Sequence, residues 1–556
     1  MTDTIAANEI SKLGAGPGQI APKAFDVAEY VEDFNTSVID AYRRGVADWE
    51  LPADEGVARS IIPAATAGIR DFSSLSPLIP AFDAEKCVGC MACVSACPDS
   101  AIYATAQPKT ALAQAIDDFA ATQPDPALAA KTAREHFVHT TKYADVPAKK
   151  GVEGADFAIF IDPMHCKGCA ECVDVCVAQG HDALSMFEKC ESEAAGGEDT
   201  LVRYRRDISF YKSLPPTPAV YRNDKVLADL MLGENAYGFV GGAGSCSGCG
   251  EGTVVRMMVA ATLQTYGPNS LGIVAETGCN SVFGSTYPFN PFTVPWSNSL
   301  FENGPADAMG IRLRWDQEGH PERRLWVFGG DGAMYDIGFQ SLSRMVASGM
   351  DIKVLVLDTG AYSNTGGQAS TASFTSQVAK LAAFGKSQHG KKERRKELGR
   401  IMMAHGEAYI AQVAACTINH FYKAIIEANS YPGPAVVIAY APCMPEHGIA
   451  DDAATRQAKL AVDSRAFPLF TYDPRRGESL AERLSLQGNP AVKEDWSKAP
   501  DGSTFDFVSF ARTEGRFAQH LDKEGKPSLE LQAAQEDRLA NWRMLQEMAG
   551  VLRTGH

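Results

Sequence analysis

The sequence predicts an α/β fold with a doubly wound parallel sheet, preceded by a smaller α+β domain. The first observation is that two short apolar runs, 325–328 and 352–357, flank a helical pattern over 339–346. Apolar runs of this length, bounded by glycine, are typical of buried parallel strands, so this stretch is predicted to be a βαβ unit. The second observation is a spaced cysteine motif that occurs twice between residues 87 and 176 and marks the smaller domain.

Composition excludes several classes of protein. The chain has 556 residues, of which 45% are hydrophobic, and this predicts three or four domains with ample cores. A net charge of -16 disfavours nucleic acid and anionic membranes as partners. The start MTDTIAANEI has no leader pattern and no apolar run approaches the roughly 18 residues that span a bilayer, so we expect a cytoplasmic protein without a membrane segment.

Composition shifts predict five segments. The smaller domain is expected to contain an insertion over 104–150 with two helical patterns, and the last segment one amphipathic pattern near 529–552. The predicted segments are an N-terminal arm (1–80), the cysteine-rich domain (81–195), a linker (196–240), the large α/β domain (241–475) and a C-terminal tail that contacts a partner subunit (476–556).

Fourteen cysteines in a cytoplasmic protein indicate metal ligation or catalysis rather than disulfides. The first run matches the bacterial ferredoxin pattern C-x₂-C-x₂-C-x₃-C-P, and the second repeats it 79 residues later with Val177 in place of proline. In such tandem runs the fourth cysteine ligates the other cluster, whereas structural zinc, the alternative, usually takes C-x₂-C pairs. The predicted [4Fe–4S] ligand sets are Cys87, Cys90, Cys93 and Cys176, and Cys166, Cys169, Cys172 and Cys97.

Four further cysteines are dispersed along the chain. Cys246 and Cys249 form a C-x₂-C pair in a glycine-rich turn, and Cys279 and Cys443 each follow an apolar run that is typical of a strand. In one parallel sheet these four residues would converge at the same edge. Spacing alone leaves a cluster, a zinc site and free thiols open. Cys416 lies in a helical pattern and is expected to be a buried core thiol.

Three other features are predicted to be structural. His181 and Cys190 are expected to be packing or surface residues, because eight thiolates already satisfy two clusters. The basic run 386–400 is expected to be a solvated helical face. Docking of an acidic ferredoxin or of a coenzyme A phosphate is the alternative for that run.

A phosphate and metal site is predicted at the carboxyl ends of the strands in 325–371. Gly330 and Gly332 allow the backbone to approach a phosphate, and Asp331 can offer a hard oxygen to Mg²⁺. Thr359 and Asn364, after the next strand, would complete the pocket. Gly-Asp-Gly alone is weak evidence, because most such tripeptides are ordinary turns.

The two loops together carry a resemblance. GDGAMYDIG followed by VLDTGAYSNTGGQAS resembles the thiamine-diphosphate segment of pyruvate:ferredoxin oxidoreductases and related 2-oxoacid:ferredoxin oxidoreductases. LGRIMMAHGEAYIAQVAAC, YPGPAVVIAYAPC and AVDSRAFPLFTYDPRRG extend the resemblance over most of residues 80–475. Gly360 and Ala361 replace larger residues, and MPEHG after Cys443 is one residue longer than is typical of the family.

The resemblance implies three [4Fe–4S] clusters, thiamine diphosphate and Mg²⁺. The third, proximal cluster is assigned to the four dispersed cysteines. Mg²⁺ is assigned to Asp331, Thr359 and the carbonyl of Ala361, and Asn364 is assigned as the catalytic residue nearest the reacting carbon. The residues implied to line the cofactor are Glu251, Cys279, Gly330, Asp331, Gly332, Ala333, Thr359 and Asn364.

The implied function is 2-oxoacid oxidation, with pyruvate and coenzyme A converted to acetyl-CoA and CO₂ and two electrons passed singly to ferredoxin or flavodoxin. 2-Oxoglutarate or another 2-oxoacid remains an alternative substrate. The glutamate that activates thiamine in this family is not found here, so we expect a β-type subunit in an α2β2 complex whose α-type subunit brings the pyrimidine-binding domain. Two alternative classes are an electron-transfer protein without catalysis and a non-oxidative decarboxylase.

Overall fold

The computed structural model describes residues 26–51, 61–189 and 199–552 and divides the chain into two compact units, one up to Pro63 and one from Ala64. The first unit is helical, and Asp26 caps its first helix by accepting from the amide of Ala28. Its elements are α1 (Val27–Asp33), a π-helical turn (Phe34–Val38), α2 (Ile39–Arg44) and α3 (Ala47–Glu50). Residues 64–80 of the predicted arm belong to the second unit.

The cysteine-rich domain consists of two similar halves. Each half is a strand, a helix that follows the cysteine loop, and a second strand; the outer strands pair antiparallel, and the inner strands pair within a three-stranded sheet. The two halves are β1 (Leu78–Phe82), α4 (Ala92–Ala96) and β2 (Ile102–Pro108), and β4 (Ala155–Ile161), α8 (Glu171–Ala178) and β5 (Leu184–Glu188).

The insertion between the halves contains the two predicted helices. Leu112, Ile116 and Phe119 of the first helix pack with Phe160 of β4 in a small separate core. The elements are α5 (Lys109–Ala121), α6 (Pro126–Glu135), the short strand β3 (Val138–His139), a π-helical turn (Thr141–Asp145) and α7 (Val146–Ala148).

The segment expected to be a linker is largely folded. The helix α9 (Thr200–Ser213) contributes Ile208 and Phe210 to the core under the insertion. A second helix, α10 (Leu227–Leu230), packs in the main core. The proline-rich stretch that suggested a boundary lies only between these helices, so composition there marked a turn rather than a whole linker.

The large domain contains an eight-stranded sheet in the order β13-β12-β10-β11-β9-β8-β6-β7. The six strands from β10 to β7 are parallel, and β12 and β13 run antiparallel at one edge. The strands are β6 (Leu271–Glu276), β7 (Trp296–Ser299), β8 (Arg324–Gly329), β9 (Lys353–Asp358), β10 (Tyr409–Ala414), β11 (Ala435–Tyr440), β12 (Phe470–Tyr472) and β13 (Leu484–Ser485).

Both faces of this sheet are covered, so the prediction of a doubly wound sheet is confirmed. Alternation along β8 sends Trp326 and Phe328 into one core and Leu325 and Val327 into the other. The helices are α11 (Gly250–Tyr266), α12 (Cys279–Ser285), α13 (Gly304–Gln317), α14 (Phe339–Ala347), α15 (Leu398–Met403), α16 (Ile418–Ser430), α17 (Met444–His447) and α18 (Ala454–Asp463).

The C-terminal segment, expected to be a tail, packs into the large domain. Leu531, Trp542 and Leu545 are buried in the same core as Val327. Its elements are α19 (Leu480–Arg483), β14 (Ser497–Lys498), β15 (Thr504–Phe505), α20 (Phe507–Ala511) and α21 (Leu529–Met548). The segment is polar in composition although it is packed, because the buried residues of α21 include Asp537, Arg538, Asn541 and Gln546. Within the described ranges, none of the helices has the length and apolarity needed to cross a membrane.

Candidate cofactor and iron–sulfur sites

The predicted phosphate and metal residues meet at the carboxyl ends of β8 and β9, which are neighbours in the sheet. Asp331 is 3% exposed; its Oδ1 accepts from the amide of Thr359 at 3.1 Å and its Oδ2 from the hydroxyl of Ser370 at 2.7 Å. Burial raises the pKa of Asp331, and the nearby carboxyl of Asp358 raises it further. A cation beside Asp331 would offset that cost.

The loop after β9 supplies the other predicted oxygen donors. The hydroxyl of Thr359 donates to the carbonyl of Ala361 at 2.9 Å and accepts from the hydroxyl of Ser363 at 2.8 Å. A carboxylate, a hydroxyl and a carbonyl are hard oxygen ligands of the type that Mg²⁺ takes, with phosphate completing the shell. The donor set therefore fits a Mg²⁺–diphosphate group.

Gly330 and Gly332 border the same cavity. A Cβ atom at Gly330 would have no heavy atom closer than 3.8 Å, and one at Gly332 none closer than 3.5 Å. Side chains at these positions would therefore occupy the cavity rather than the protein interior. The turn leaves the backbone open to a ligand, as a phosphate-binding loop requires.

Glu251 contributes an unpaired carboxyl oxygen to the cavity. It lies in the first turn of α11 and is 6% exposed, and its Oε2 has no hydrogen-bond partner. Burial raises the pKa of Glu251 to about 8, and the charge of Asp331 adds to the rise. A buried polar atom without a partner is costly, so this oxygen is suited to form a hydrogen bond with a polar ligand.

Most of the residues assigned to the cofactor line this cavity. Ala333 does not, because its side chain is buried in the core beneath β8. Sequence reasoning missed seven lining residues, and all of them except Glu302 stand next to a glycine or to an assigned residue: Thr277, Gly278, Glu302, Ile337, Tyr362, Ser363 and Thr365. The cavity is lined by Glu251, Thr277, Gly278, Cys279, Glu302, Gly330, Asp331, Gly332, Ile337, Thr359, Ala361, Tyr362, Ser363, Asn364 and Thr365.

The four dispersed cysteines line one adjoining cavity. Cys246 and Cys249 precede α11, Cys279 begins α12 after β6, and Cys443 precedes α17 after β11. The structure therefore brings together residues that are almost 200 positions apart (443 − 246 = 197). Five residues line both this cavity and the cofactor cavity: Glu251, Cys279, Thr359, Ser363 and Asn364.

A close backbone approach holds the C-x₂-C turn against the segment that follows Cys443. Gly248 has φ +71°, and a Cβ atom there would lie 1.9 Å from the carbonyl oxygen of Asp451. Any other residue at position 248 would push the two segments apart. This contact places Cys246 and Cys249 beside Cys443.

A cysteine of the second run lies with three cysteines of the first. One cavity is lined by Cys87, Cys90, Cys93 and, from the second run, Cys176. The cysteine loops of the two halves repeat the same backbone: Gly89 and Met91 in the first and Gly168 and Ala170 in the second all have φ between 68° and 71°. His181, expected to be a packing or surface residue, also lines this cavity.

The other set, Cys97, Cys166, Cys169 and Cys172, is more deeply buried. Burial raises the pKa of each of these four thiols, and neighbouring thiols of both runs raise the pKa values of Cys166, Cys169 and Cys172 further. Arg256 opposes that rise at Cys97. A cluster would bind these groups as thiolates.

Two buried cations, Lys167 and Arg256, lie beside this second set. Lys167 is 4% exposed and its Nζ donates to Asp99 Oδ1 at 2.7 Å, to the carbonyl of Gly242 at 3.0 Å and to that of Ser245 at 2.9 Å. Because Lys167 lies between Cys166 and Cys169, and Ser245 precedes Cys246, the hydrogen bonds to these two carbonyls tie the cysteine-rich domain to the turn of the dispersed set.

Sequence reasoning also missed a buried histidine between the dispersed cysteines and the cofactor loop. His447 accepts from the amide of Cys443 at 3.4 Å on Nδ1 and donates to the carbonyl of Thr359 at 2.7 Å from Nε2. Burial lowers the pKa of His447 well below its usual range, and the charge of Arg516 lowers it further. The spacing of four between Cys443 and His447, one helical turn, was the available signal.

The remaining expectations concern the basic run 386–400, Cys416 and Cys190. The basic run 386–400 is not a solvated helical face, since Arg395 pairs with the buried Asp358 and Lys391 Nζ donates to the carbonyl of Ser373 at 2.7 Å. Cys416 is not in a helix, because the apolar run before it is β10 and α16 begins only at Ile418. Cys190 lies outside the described residues.

Within the described ranges, no group of three or more His, Cys, Asp or Glu side chains is arranged to hold a metal ion.

Comparison with protein families defines the class. Residues 276–439 match the family described as "Thiamine pyrophosphate enzyme, C-terminal TPP binding domain". Residues 80–103 match the family described as "4Fe-4S binding domain". The chain thus contains a thiamine-diphosphate-binding α/β domain joined to a ferredoxin-like domain, as the sequence predicted.

Comparison with individual proteins indicates which enzymes the chain resembles. The chain is 29% identical to the "Probable pyruvate-flavodoxin oxidoreductase" of Escherichia coli, over 91% of this chain and 45% of that protein. It is 28% identical to the "Pyruvate:ferredoxin oxidoreductase" of Moorella thermoacetica, over 83% of this chain and 41% of that protein. The chain thus resembles these oxidoreductases along most of its own length and spans less than half of theirs.

A solved structure also matches part of the chain. It is described as "2-oxoglutarate:ferredoxin oxidoreductase from Magnetococcus marinus with 2-oxoglutarate, coenzyme A and succinyl-CoA bound". The match covers 36% of this chain and 64% of that chain, with 23% identity and a TM-score of 0.32.

Proposed function

We propose that this chain is the thiamine-diphosphate-binding and electron-relaying part of a 2-oxoacid:ferredoxin oxidoreductase. The observation that carries the proposal is the wall shared by the two cavities, where Glu251, Cys279 and Asn364 face both the phosphate loop and the four dispersed cysteines. A redox centre in such a position can accept electrons directly from a cofactor-bound substrate.

The residues present fit each group. Asp331, Thr359 and the carbonyl of Ala361 would hold Mg²⁺, and the open backbone at Gly330 and Gly332 would hold the diphosphate. Thiamine diphosphate, when bound, supplies the carbanion chemistry that decarboxylates a 2-oxoacid. Asn364 lines both cavities and is placed to orient the reacting group.

Three [4Fe–4S] clusters would make a one-electron path. The dispersed set would hold the proximal cluster, and the Cys97, Cys166, Cys169, Cys172 set the middle one. The Cys87, Cys90, Cys93, Cys176 set would hold the outer cluster, where Cys90 is exposed and could pass electrons to ferredoxin or flavodoxin. Each cluster carries one electron at a time, so the two electrons of the oxidation leave in sequence.

Pyruvate is the proposed substrate, with coenzyme A as acyl acceptor, because pyruvate oxidoreductases are prominent among the relatives. The activating glutamate and the pyrimidine-binding domain are proposed to come from an α-type subunit in an α2β2 complex. The cytoplasm is the proposed location.

The test uses the complex purified anaerobically through a tag on the full chain in its own cells. We expect viologen reduction that requires coenzyme A and one 2-oxoacid from a panel, together with iron, labile sulfide and thiamine diphosphate. A preparation without thiamine or without iron would contradict the function. Full 2-oxoacid oxidation by the isolated chain would contradict the proposed requirement for an α-type subunit. It would leave the proposed 2-oxoacid oxidation itself intact.

A further inference from the structure

The helix α11 connects the three sites that the proposed function uses. Cys249 caps its N-terminus and Glu251 faces the cofactor cavity. Arg256 lies two turns beyond Cys249, about 10 Å along the axis at 1.5 Å per residue. Arg256 is completely buried. Its position on this helix puts a guanidinium between the dispersed cysteines and the ferredoxin-like domain.

The guanidinium is enclosed by the chain around Cys97. Its Nη1 donates to the carbonyls of Val94 at 2.5 Å, Ser95 at 3.3 Å and Cys97 at 3.1 Å. Its Nε donates to the hydroxyl of Ser100 at 3.0 Å. These partners are neutral dipoles, so they orient the guanidinium without cancelling its charge.

In the part of the chain that the structure describes, no carboxylate is paired with this guanidinium. Among the described residues Arg256 forms no ion pair, and its Nη2 is buried without a hydrogen-bond partner. Lys167, which follows Cys166 in the chain, is paired with Asp99. A buried cation without an anion costs several kcal/mol in a folded protein, so an unpaired Arg256 implies an anion nearby.

A second buried arginine, Arg465, differs from Arg256 in how its charge is offset. Arg465 is also completely buried and also donates to backbone carbonyls, of Pro490 at 2.7 Å and Ala491 at 3.0 Å. Its guanidinium lies 4.2 Å from the ring centroid of Trp542, which partly offsets its charge. The hydrogen bonds of Arg256 within the described ranges go to backbone carbonyls and to Ser100, and one of those carbonyls belongs to Cys97, a cysteine assigned to a cluster.

We propose that Arg256 is the counter-ion of the [4Fe–4S] cluster held by Cys97, Cys166, Cys169 and Cys172, and that it raises the reduction potential of that cluster. A cubane with four thiolates carries net negative charge, which increases when the cluster accepts an electron. A fixed cation beside it stabilises the reduced form more than the oxidised form. The middle cluster then accepts electrons from the proximal one more readily. The inference rests on the proposed function, through the assignment of a cluster to these cysteines.

The test is an anaerobic redox titration of the full chain, followed by low-temperature electron paramagnetic resonance. Arg256→Gln keeps a hydrogen-bond donor and removes the charge, and Arg256→Lys keeps the charge. A Cys97→Ser variant identifies the signal of the middle cluster. Arg465→Gln is the matched control, since it removes a buried, carbonyl-bound guanidinium far along the chain from the cysteines of both tandem runs.

We expect Arg256→Gln to disfavour reduction of the middle cluster about tenfold, a fall of about 59 mV for one electron, with the other two clusters unchanged. Arg256→Lys and Arg465→Gln should leave all three potentials near those of the unmodified chain. An unchanged middle potential in Arg256→Gln would overturn the proposal.

If Arg256→Gln loses the middle cluster, Arg256→Lys decides between charge and structure. Retention of the cluster and its potential in Arg256→Lys would support a requirement for positive charge, and loss in both would overturn the proposal in favour of a structural role. Iron and sulfide analysis of the unmodified chain separates this result from a failure of the proposed function, which would show fewer than three clusters before any substitution.

Discussion

The two kinds of cysteine site in this chain are encoded differently. In the ferredoxin-like domain, three cysteines of each set lie within seven residues, and both loops repeat the same left-handed backbone at Met91 and Ala170. In the large domain, Cys279 and Cys443 reach the C-x₂-C pair only because β6 and β11 end at the same edge of one parallel sheet. Local spacing therefore specifies the first kind of site, and sheet topology the second.

The largest effect is expected when one cysteine of the dispersed set is removed. Cys443→Ala should remove the proximal cluster, lower bound iron by about one third and abolish 2-oxoacid-dependent reduction of viologen, while dithionite still reduces the other clusters. Cys416→Ala is the control, because Cys416 lies outside all three cysteine sets. Equal iron content in Cys443→Ala and the unmodified chain would show that Cys443 is not a ligand.

The crossing of ligands between the tandem runs gives the next prediction. Cys97→Ser should alter the cluster held by the second run, and Cys176→Ser the cluster held by the first, since Cys176 lines the cavity of Cys87, Cys90 and Cys93. Each variant should change one signal in electron paramagnetic resonance and leave the other. If both variants alter the same signal, the exchange is wrong.

At the phosphate loop, substitution should separate thiamine binding from the clusters. Asp331→Asn removes the charged ligand and should prevent Mg²⁺-dependent retention of thiamine diphosphate. Ser370→Ala removes only the hydroxyl that donates to Asp331 at 2.7 Å, and it should weaken the affinity for thiamine diphosphate about 10- to 100-fold. Calorimetry with thiamine diphosphate and Mg²⁺ measures both. An unchanged affinity in Asp331→Asn would place the metal elsewhere.

The smallest effect concerns stability. Arg516 is buried against Glu514 at 2.5 Å and also donates to the carbonyl of Thr359 at 3.2 Å. Arg516→Met should lower the free energy of unfolding by about 3–5 kcal/mol, because Glu514 is left as an unpaired buried carboxylate. Urea unfolding of the full chain checks this, with the exposed Arg512→Met as control. Equal stability of the two variants would show that the C-terminal segment contributes little to the loop.

The parts of the fold that the sequence predicted well are those where local pattern and burial agree. The apolar runs at 325–328 and 435–439 became β8 and β11 because they are buried on both faces of the sheet. The run before Cys416 was misassigned to a helix because a continuous apolar stretch has no period that separates helix from strand.

The residues that sequence reasoning missed depend on contacts between distant segments. Arg395 and Lys391 belong to a basic run that the sequence predicted to be solvated. In the structure the chain folds back, and Arg395 pairs with Asp358 in the interior. His447, Glu514 and Arg516 form one buried polar group around the carbonyl of Thr359. No periodicity or spacing reports such pairing, since it depends on which strand ends are neighbours.

The central claim is that the dispersed cysteines hold an iron–sulfur cluster beside bound thiamine diphosphate. Anomalous diffraction at the iron K-edge, from crystals of the full chain grown anaerobically with thiamine diphosphate and Mg²⁺, tests it directly. The account predicts three iron peaks, one of them enclosed by Cys246, Cys249, Cys279 and Cys443 and next to the cofactor. Iron peaks in the ferredoxin-like domain alone would contradict it.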